Sequence, residues 1–210
     1  MRLYLTSYQM GDESERLLAM AGSGARVAVI SNALDFVPAD ARRAFAERGG
    51  FQADAWFRNH GLDAFDLDLR ELFGRPETAE KALDHTDLVW AVGGNAFLLL
   101  RAMRQSGLAP VLKRRLDDDS LMYGGWSAGA CVAGSTLRGL DLMDEPYVVS
   151  DGYHPEPEWD GLGLVQFAIV PHFDSDHTEA QAASLAAEHF EAAGVPFRAL
   201  RDGETMIVDG

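Results

Sequence analysis

Residues 123–130, YGGWSAGA, fit the pattern Gly-x-Ser-x-Gly at the end of an apolar run and lead into a segment of small residues. This pattern is typical of a sharp strand-to-helix turn, in which the serine backbone is strained and the flanking glycines avoid clashes. Ser127 would then stand above the sheet edge as a nucleophile, with the amide of Ala128 placed at a helix N-terminus to stabilise an oxyanion. The alternative is a glycine-rich turn whose serine only caps a helix, so other segments have to decide between the two.

The rest of the chain alternates short apolar runs with amphipathic stretches, a pattern that predicts an α/β fold with a mainly parallel sheet covered by helices. The predicted strands are 3–5, 27–30, 65–67, 88–92, 121–123, 165–170, 197–200 and 206–208. The predicted helices include 39–47, 78–83, 96–104 and 180–193. The turn signal Asp202-Gly203 between the last two runs indicates a terminal hairpin or a sheet edge.

Bulk composition limits the class of protein to which this chain can belong. With 210 residues and 47% hydrophobic content, the chain is expected to form one α/β domain over residues 1–210. Its formal net charge of -15 argues against nucleic acid and anionic membranes as partners. The single cysteine, Cys131, excludes an intramolecular disulfide, and we find neither a signal peptide nor an apolar run of bilayer length. These features predict a cytoplasmic protein.

A glycine pair follows the predicted strand 88–92, in the sequence GGNAF at residues 93–97. Glycines at the carboxyl end of a strand let backbone amides approach a ligand closely, so the amide of Gly94 could be the second oxyanion donor. An ordinary strand-to-helix turn is the alternative for this segment. The dinucleotide fingerprint Gly-x-Gly-x-x-Gly and the phosphate-binding P-loop are both missing from the sequence.

A histidine follows the predicted strand 165–170, in the sequence PHF at residues 171–173. Catalytic bases lie at such strand ends in open α/β sheets, so His172 is the candidate general base. A carboxylate should orient its imidazole, and the acidic segment 141–145 lies between the serine and the histidine. We choose Asp144, with Glu145 and Asp141 as alternatives, which gives the chain order Ser, acid, His of α/β-hydrolases.

Together, GGNAF at 93–97, GWSAGA at 125–130 and PHF at 171–173 resemble the peptidase E family of serine peptidases, which also includes the cyanophycinases. The resemblance spans most of the chain. The tryptophan at position 126 is similar to peptidase E, because the cyanophycinase motif usually reads GTSAGA. The resemblance implies a three-layer sandwich with a mainly parallel central sheet flanked by helices, similar to class I glutamine amidotransferases, with a nucleophile elbow.

By the same resemblance, Ser127 is the nucleophile, His172 is the base, and Gly94 and Ala128 form the oxyanion hole. The implied activity is hydrolysis of dipeptides or short peptides from the N-terminal side, without a metal or other cofactor. Relatives are monomers or dimers, which leaves a homodimer open, and they often continue beyond the position of Gly210. Two alternatives are an esterase or amidase acting on small molecules and a catalytically silent relative that uses the cleft for binding.

The resemblance does not decide which acid orients the imidazole of His172. Anchoring on Pro146 matches Asp144 to the family's Asp-Met-Pro motif, whereas anchoring on residues 136–138 favours Asp141. Some relatives use glutamate, which keeps Glu145 as an alternative.

The segment after PHF bears on substrate specificity and on metal binding. Aspartyl dipeptidases of this family place an arginine shortly after that motif, but no arginine occurs here before Arg198. A substrate carboxylate without such a partner is costly to bury, so strict Asp-X specificity is not expected. The segment does contain metal-ligand residue types, but without a recognised spacing, so serine chemistry is preferred to a metal site. These residues are His172, Asp174, Asp176 and His177.

Overall fold

A computed structural model describes residues 1–210 as eight strands and eight α-helices joined by short 3-10 turns. The strands are β1 Arg2–Thr6, β2 Arg26–Ile30, β3 Asp63–Asp66, β4 Leu88–Ala91, β5 Met122–Trp126, β6 Ala168–Val170, β7 Phe197–Ala199 and β8 Thr205–Asp209. The helices are α1 Ser14–Ala21, α2 Ala39–Glu47, α3 Ala53–Asn59, α4 Ala79–Ala82, α5 Ala96–Gln105, α6 Leu108–Asp117, α7 Ala128–Cys131 and α8 Ala180–Ala193. Every helix falls short of the length and apolar content needed to span a bilayer.

Six strands form one sheet in the order β3-β2-β4-β5-β1-β8. The first five are parallel, and β8 runs antiparallel to β1 at the edge, so the predicted mainly parallel sheet is confirmed. The last two predicted strands do not form a hairpin. β7 pairs with β6 in a separate two-stranded parallel sheet, while β8 joins the main sheet.

Both faces of the main sheet are buried, as expected for parallel strands between two helical layers. Leu88 and Trp90 of β4 pack in one apolar cluster with Phe57 of α3, whereas Val89 and Ala91 join a larger cluster with α5, α6, α7 and α8. We call these sides the α3 face and the α5 face. The flanking helices therefore complete the three layers that the resemblance implies.

The carboxyl ends of the parallel strands meet at one edge of each sheet. In the main sheet Ala91 and Leu5 both lie beside Gly125, and in the small sheet Val170 lies beside Ala199. Residues that directly follow these strands are therefore collected at one place, which is where open α/β sheets bind their ligands.

Close packing explains the glycines around the turn at Ser127. A Cβ atom added to Gly129 would lie 2.2 Å from the carbonyl oxygen of Ala91, and one added to Gly125 would lie 2.7 Å from the same oxygen. Neither glycine has a positive φ, so the requirement is steric rather than conformational. The Gly-x-Ser-x-Gly pattern thus lets α7 press directly against β4 and β5.

We predict that Gly129→Ala lowers the free energy of unfolding by about 2–3 kcal/mol, because the new methyl group overlaps backbone that cannot move freely. The matched control is Gly24→Ala, where a Cβ meets no atom within 4 Å and only the positive φ of 70° is strained. We expect the control to cost about 1 kcal/mol. Urea unfolding of both variants measures the difference, and an equal or smaller loss for Gly129→Ala would contradict the steric argument.

Candidate active site

Ser127 occupies a strained turn between β5 and α7. Its backbone angles are φ 48° and ψ -115°, outside the regions that non-glycine residues normally adopt. Its amide N–H donates to the carbonyl oxygens of Thr6 and Ser7, each at 3.1 Å, so the end of β1 holds the strained residue in place. Such strain persists only where the surrounding structure enforces it, and it is concentrated at functional sites.

Two backbone amides are available next to this serine. Ala128 begins α7, and Gly94 lies on the loop after β4 with a φ of 136°. Neither amide N–H has a hydrogen-bond acceptor within the protein. The loop is close to the serine, since a Cβ added to Gly93 would lie 3.2 Å from the Cβ of Ser127. Free amides beside a candidate nucleophile are the donors that an oxyanion requires.

His172 is buried, with 2% of its side chain exposed, and follows β6 with a positive φ of 60°. Its Nδ1 lies 2.7 Å from Oδ1 of Asp202. The imidazole that donates Nδ1–H to this carboxylate leaves Nε2 as its free acceptor. His172 is therefore in the tautomer that a general base needs.

Ser7, directly after β1, links the serine and the histidine. Its carbonyl accepts the N–H of Ser127 at 3.1 Å, and its hydroxyl oxygen accepts the backbone N–H of His172 at 2.7 Å. The same hydroxyl donates to Oδ1 of Asp202 at 2.8 Å. Ser127 Oγ makes no hydrogen bond to His172 in this structure, so the two residues meet through Ser7. Catalytic hydrogen bonds of unliganded sites often tighten only when substrate binds.

The structure corrects the expected partner of the imidazole from Asp144 to Asp202. Asp144 instead accepts the backbone N–H of Ala96 at 2.8 Å, at the N-terminus of α5. Burial, reinforced by the charge of Glu179, raises the pKa of Asp144 to about 7. The two alternative acids, Asp141 and Glu145, also bond elsewhere. The Asp141 carboxylate accepts the backbone N–H of Gly139 at 2.8 Å, and the Glu145 carboxylate accepts that of Tyr147 at 3.1 Å.

Asp202 was missed because its sequence context indicates only a turn. The parallel pairing of β6 with β7 explains its position, because Val170 lies beside Ala199 and both chains then turn towards Ser7. The backbone N–H of Asp202 also donates to Oγ of Ser175 at 2.8 Å. The acid that follows β7 thus meets the histidine that follows β6.

Several groups act on the pKa of His172. Burial is the largest cause and lowers this pKa, and the nearby His177 lowers it further. The Asp202 carboxylate and Glu179 oppose this change. Glu179 approaches the free nitrogen of the imidazole, with 3.7 Å between Nε2 and Oε2. The net effect keeps the imidazole neutral at lower pH than usual.

The side chains of His172, His177 and Asp202 bring potential metal-ligand atoms within 4.8 Å of one another. The two imidazoles are stacked, with 3.7 Å between ring centroids and 8° between ring planes. Imidazole lone pairs lie in the ring plane, so those of parallel rings do not converge on one point, as tetrahedral Zn²⁺ coordination requires. The arrangement suits a hydrogen-bonded histidine better than a shared ion.

A pocket of about 780 Å³ opens on the α3 face beside the serine. It lies between α2, α3 and the carboxyl ends of β2 and β4, and its lining includes Trp126, the residue before Ser127. Much of its lining is apolar, and it falls within the size range of ligand pockets in proteins. The apolar lining includes Val29, Leu34, Val37, Phe51, Val92 and Trp126.

Comparison with known proteins identifies similar chains. The family model of peptidase family S51 matches residues 21–210. Peptidase E of Streptomyces coelicolor is 32% identical over 193 residues, which cover 86% of this chain and 75% of that protein. A protein of Drosophila melanogaster described as a probable alpha-aspartyl dipeptidase is 27% identical over 154 residues, which cover 71% of this chain and 60% of that protein.

A solved structure also shares the fold. The crystal structure of a peptidase E protein from Listeria monocytogenes EGD-e superimposes with a TM-score of 0.72 at 18% identity. The match covers 100% of this chain and 98% of the Listeria chain. At this identity the match supports the fold, and the side chains of the site have to be argued from their own geometry.

We predict that the pKa of His172, followed by NMR of its ring protons, lies below the ordinary value of 6.5. Asp202→Asn should lower it further, because the carboxylate that stabilises the imidazolium is lost. Asp144→Asn is the matched control and should leave it nearly unchanged, since Asp144 contacts Ala96 and not the imidazole. A larger shift in the control than in Asp202→Asn would contradict the assigned partner.

Proposed function

The chain belongs to peptidase family S51, and from this membership we propose that it hydrolyses dipeptides or short peptides from their N-terminal side through an acyl-enzyme on Ser127. The observation that carries the proposal is the strained Ser127 between two free amides, with the Nδ1 of the nearby His172 bonded to Asp202. These are the components of serine acyl transfer.

In the first half-reaction, Nε2 of His172 takes the proton of Ser127 Oγ as this oxygen bonds to the substrate carbonyl carbon. The carbonyl oxygen becomes an oxyanion, which the amides of Gly94 and Ala128 stabilise. When the carbon–nitrogen bond breaks, His172 returns the proton to the leaving amine. The products of this half-reaction are an ester on Ser127 and a free amino acid or shorter peptide.

In the second half-reaction, water replaces the amine. His172 takes a proton from this water as its oxygen attacks the ester carbon, and the same pair of amides stabilises the second oxyanion. Collapse returns the electron pair and the proton to Ser127 Oγ and releases the acid product. Asp202 acts as a positioning residue throughout, since it fixes the tautomer and stabilises the imidazolium that forms twice.

The substrate class rests on the relatives. Proteins similar to this chain are described as peptidase E and as an alpha-aspartyl dipeptidase. Strict preference for N-terminal aspartate is not part of the proposal. The segment after His172 brings no arginine before Arg198 of β7, and Arg201, in the turn that follows β7, already pairs with Asp174.

We predict that Ser127→Ala and His172→Ala each lower kcat on dipeptides by about 10⁴-fold or more, because each removes one member of a coupled pair. Asp202→Asn should lower kcat by about 10²–10⁴-fold, whereas Asp144→Asn should cost less than about tenfold. Steady-state kinetics on a panel of Asp-X, Leu-X and Met-X dipeptides measures these losses. Undiminished turnover by either alanine variant would reject the mechanism, and turnover of acyl esters alone would indicate an esterase.

The pH profile gives a separate prediction. The base works only when neutral, so kcat/KM should fall tenfold per pH unit below the pKa of His172 and level off above it. Because burial lowers this pKa, the midpoint of the acidic limb should lie below pH 6.5. The residual activity of Asp202→Asn should show a midpoint at still lower pH. A wild-type midpoint at or above 6.5 would count against His172 as the base in this environment.

A further inference from the structure

The pocket on the α3 face carries unpaired positive charge. Its charged lining residues are Arg42, Arg43, Arg48, Asp54 and Asp66. Arg42 lies 3.4 Å from the carboxylate of Asp35, and Asp54 lies 2.6 Å from Arg58. Arg43 and Arg48 have no hydrogen bond or ion pair with any carboxylate of the chain.

The remaining acid of the pocket does not cancel these two charges. Burial is the largest cause that raises the pKa of the Asp66 carboxyl, which favours the neutral form. Arg43 lies on α2 and Arg48 directly follows this helix, and both line the pocket. Arginine is suited to hold a carboxylate through paired N–H groups.

The surroundings of the imidazole carry the opposite charge. Glu179 approaches Nε2 of His172 at 3.7 Å, and Asp202 lies 2.7 Å from Nδ1. His172 follows β6, whose residues pack in the cluster of the α5 face, whereas the two arginines line the pocket on the α3 face. A carboxylate without a cationic partner thus lies beside the free nitrogen of the imidazole, and the cationic groups lie at the pocket.

A dipeptide has the matching charges, since its N-terminal ammonium and C-terminal carboxylate lie at opposite ends of the scissile bond. We propose that the pocket binds the carboxyl-terminal residue of the substrate, with an apolar side chain against Trp126, Phe51 and Val92 and a free carboxylate held by Arg43 and Arg48. This inference rests on the proposed function. It assigns the pocket to the amino acid that leaves in the first half-reaction, and it explains a preference for short peptides.

The test compares Leu-Phe with Leu-Phe amide, which lacks the carboxylate. In the wild type, the free acid should have the lower KM. In the double variant Arg43→Gln and Arg48→Gln, KM for Leu-Phe should rise about tenfold with little change in kcat, while KM for the amide stays unchanged. These variants should fold, because no residue of α2 is buried. Lys113→Gln on α6 is the matched control for loss of an exposed positive charge.

The apolar part of the pocket is tested by placing a larger side chain in its lining. Ala46 lines the pocket from α2, and Ala46→Trp should fill part of the space. We expect kcat/KM to fall more for Leu-Phe than for Leu-Gly, because only the larger residue needs the full volume. Equal loss for both dipeptides would contradict this assignment of the pocket.

Two further arms separate the outcomes. Asp-Phe amide carries its only carboxylate on the N-terminal residue, and Leu-Phe amide carries none. If the double variant lost activity only on Asp-Phe amide, the arginines would bind the N-terminal residue and the proposal would be overturned. Calorimetric binding of Leu-Phe and its amide to Ser127→Ala tests recognition without turnover. Equal affinity for the two ligands there overturns the pocket assignment, whereas preference for the acid in a protein that hydrolyses no peptide supports it while the proposed function fails.

Discussion

The hydrogen bonds of Ser7 are the interaction on which the site depends. One residue at the end of β1 accepts the N–H of Ser127 on its carbonyl, accepts the N–H of His172 on its hydroxyl, and donates to Asp202. It is fully buried, so water cannot replace these bonds when they are lost. Ser7 joins the main sheet, which carries the serine, to the small sheet, which carries the histidine and the acid.

Strained backbone lies on both sides of this junction. Ser127 and His172 both have positive φ values and both donate their backbone N–H to Ser7, while Asp174 has a positive φ two residues beyond the histidine. Each strained residue costs about 1–3 kcal/mol, which has to be offset by the packing around it. The buried layers on both faces of the main sheet provide that packing, and Gly129 allows α7 to approach it closely.

Local signals in the sequence predicted the fold and the candidate residues at the strand ends. The alternation of strands and helices predicted the parallel sheet, and strand ends marked by glycine, serine or histidine indicated Gly94, Ser127 and His172 as candidates. The acid was not found in this way, because 33 acidic residues offer many candidates and a carboxylate has no local signature. Asp144 fitted the chain order of α/β-hydrolases, whereas the carboxylate that contacts the imidazole in the structure, Asp202, comes after the histidine in the chain. Only the pairing of β6 with β7 brings Asp202 to the imidazole, and that pairing is a tertiary feature.

The charged groups close to the pocket matter more for ligand binding than the net charge of the chain. A net charge of -15 would repel anionic ligands at long range, yet charges beyond about 8 Å are largely screened at physiological salt. A zwitterionic dipeptide carries no net charge, so it meets little of this repulsion as it approaches. Within the site, nearby groups dominate, and Arg43 and Arg48 are not neutralised by the acids around them. An acidic protein can therefore hold a carboxylate where arginines without acidic partners line the pocket.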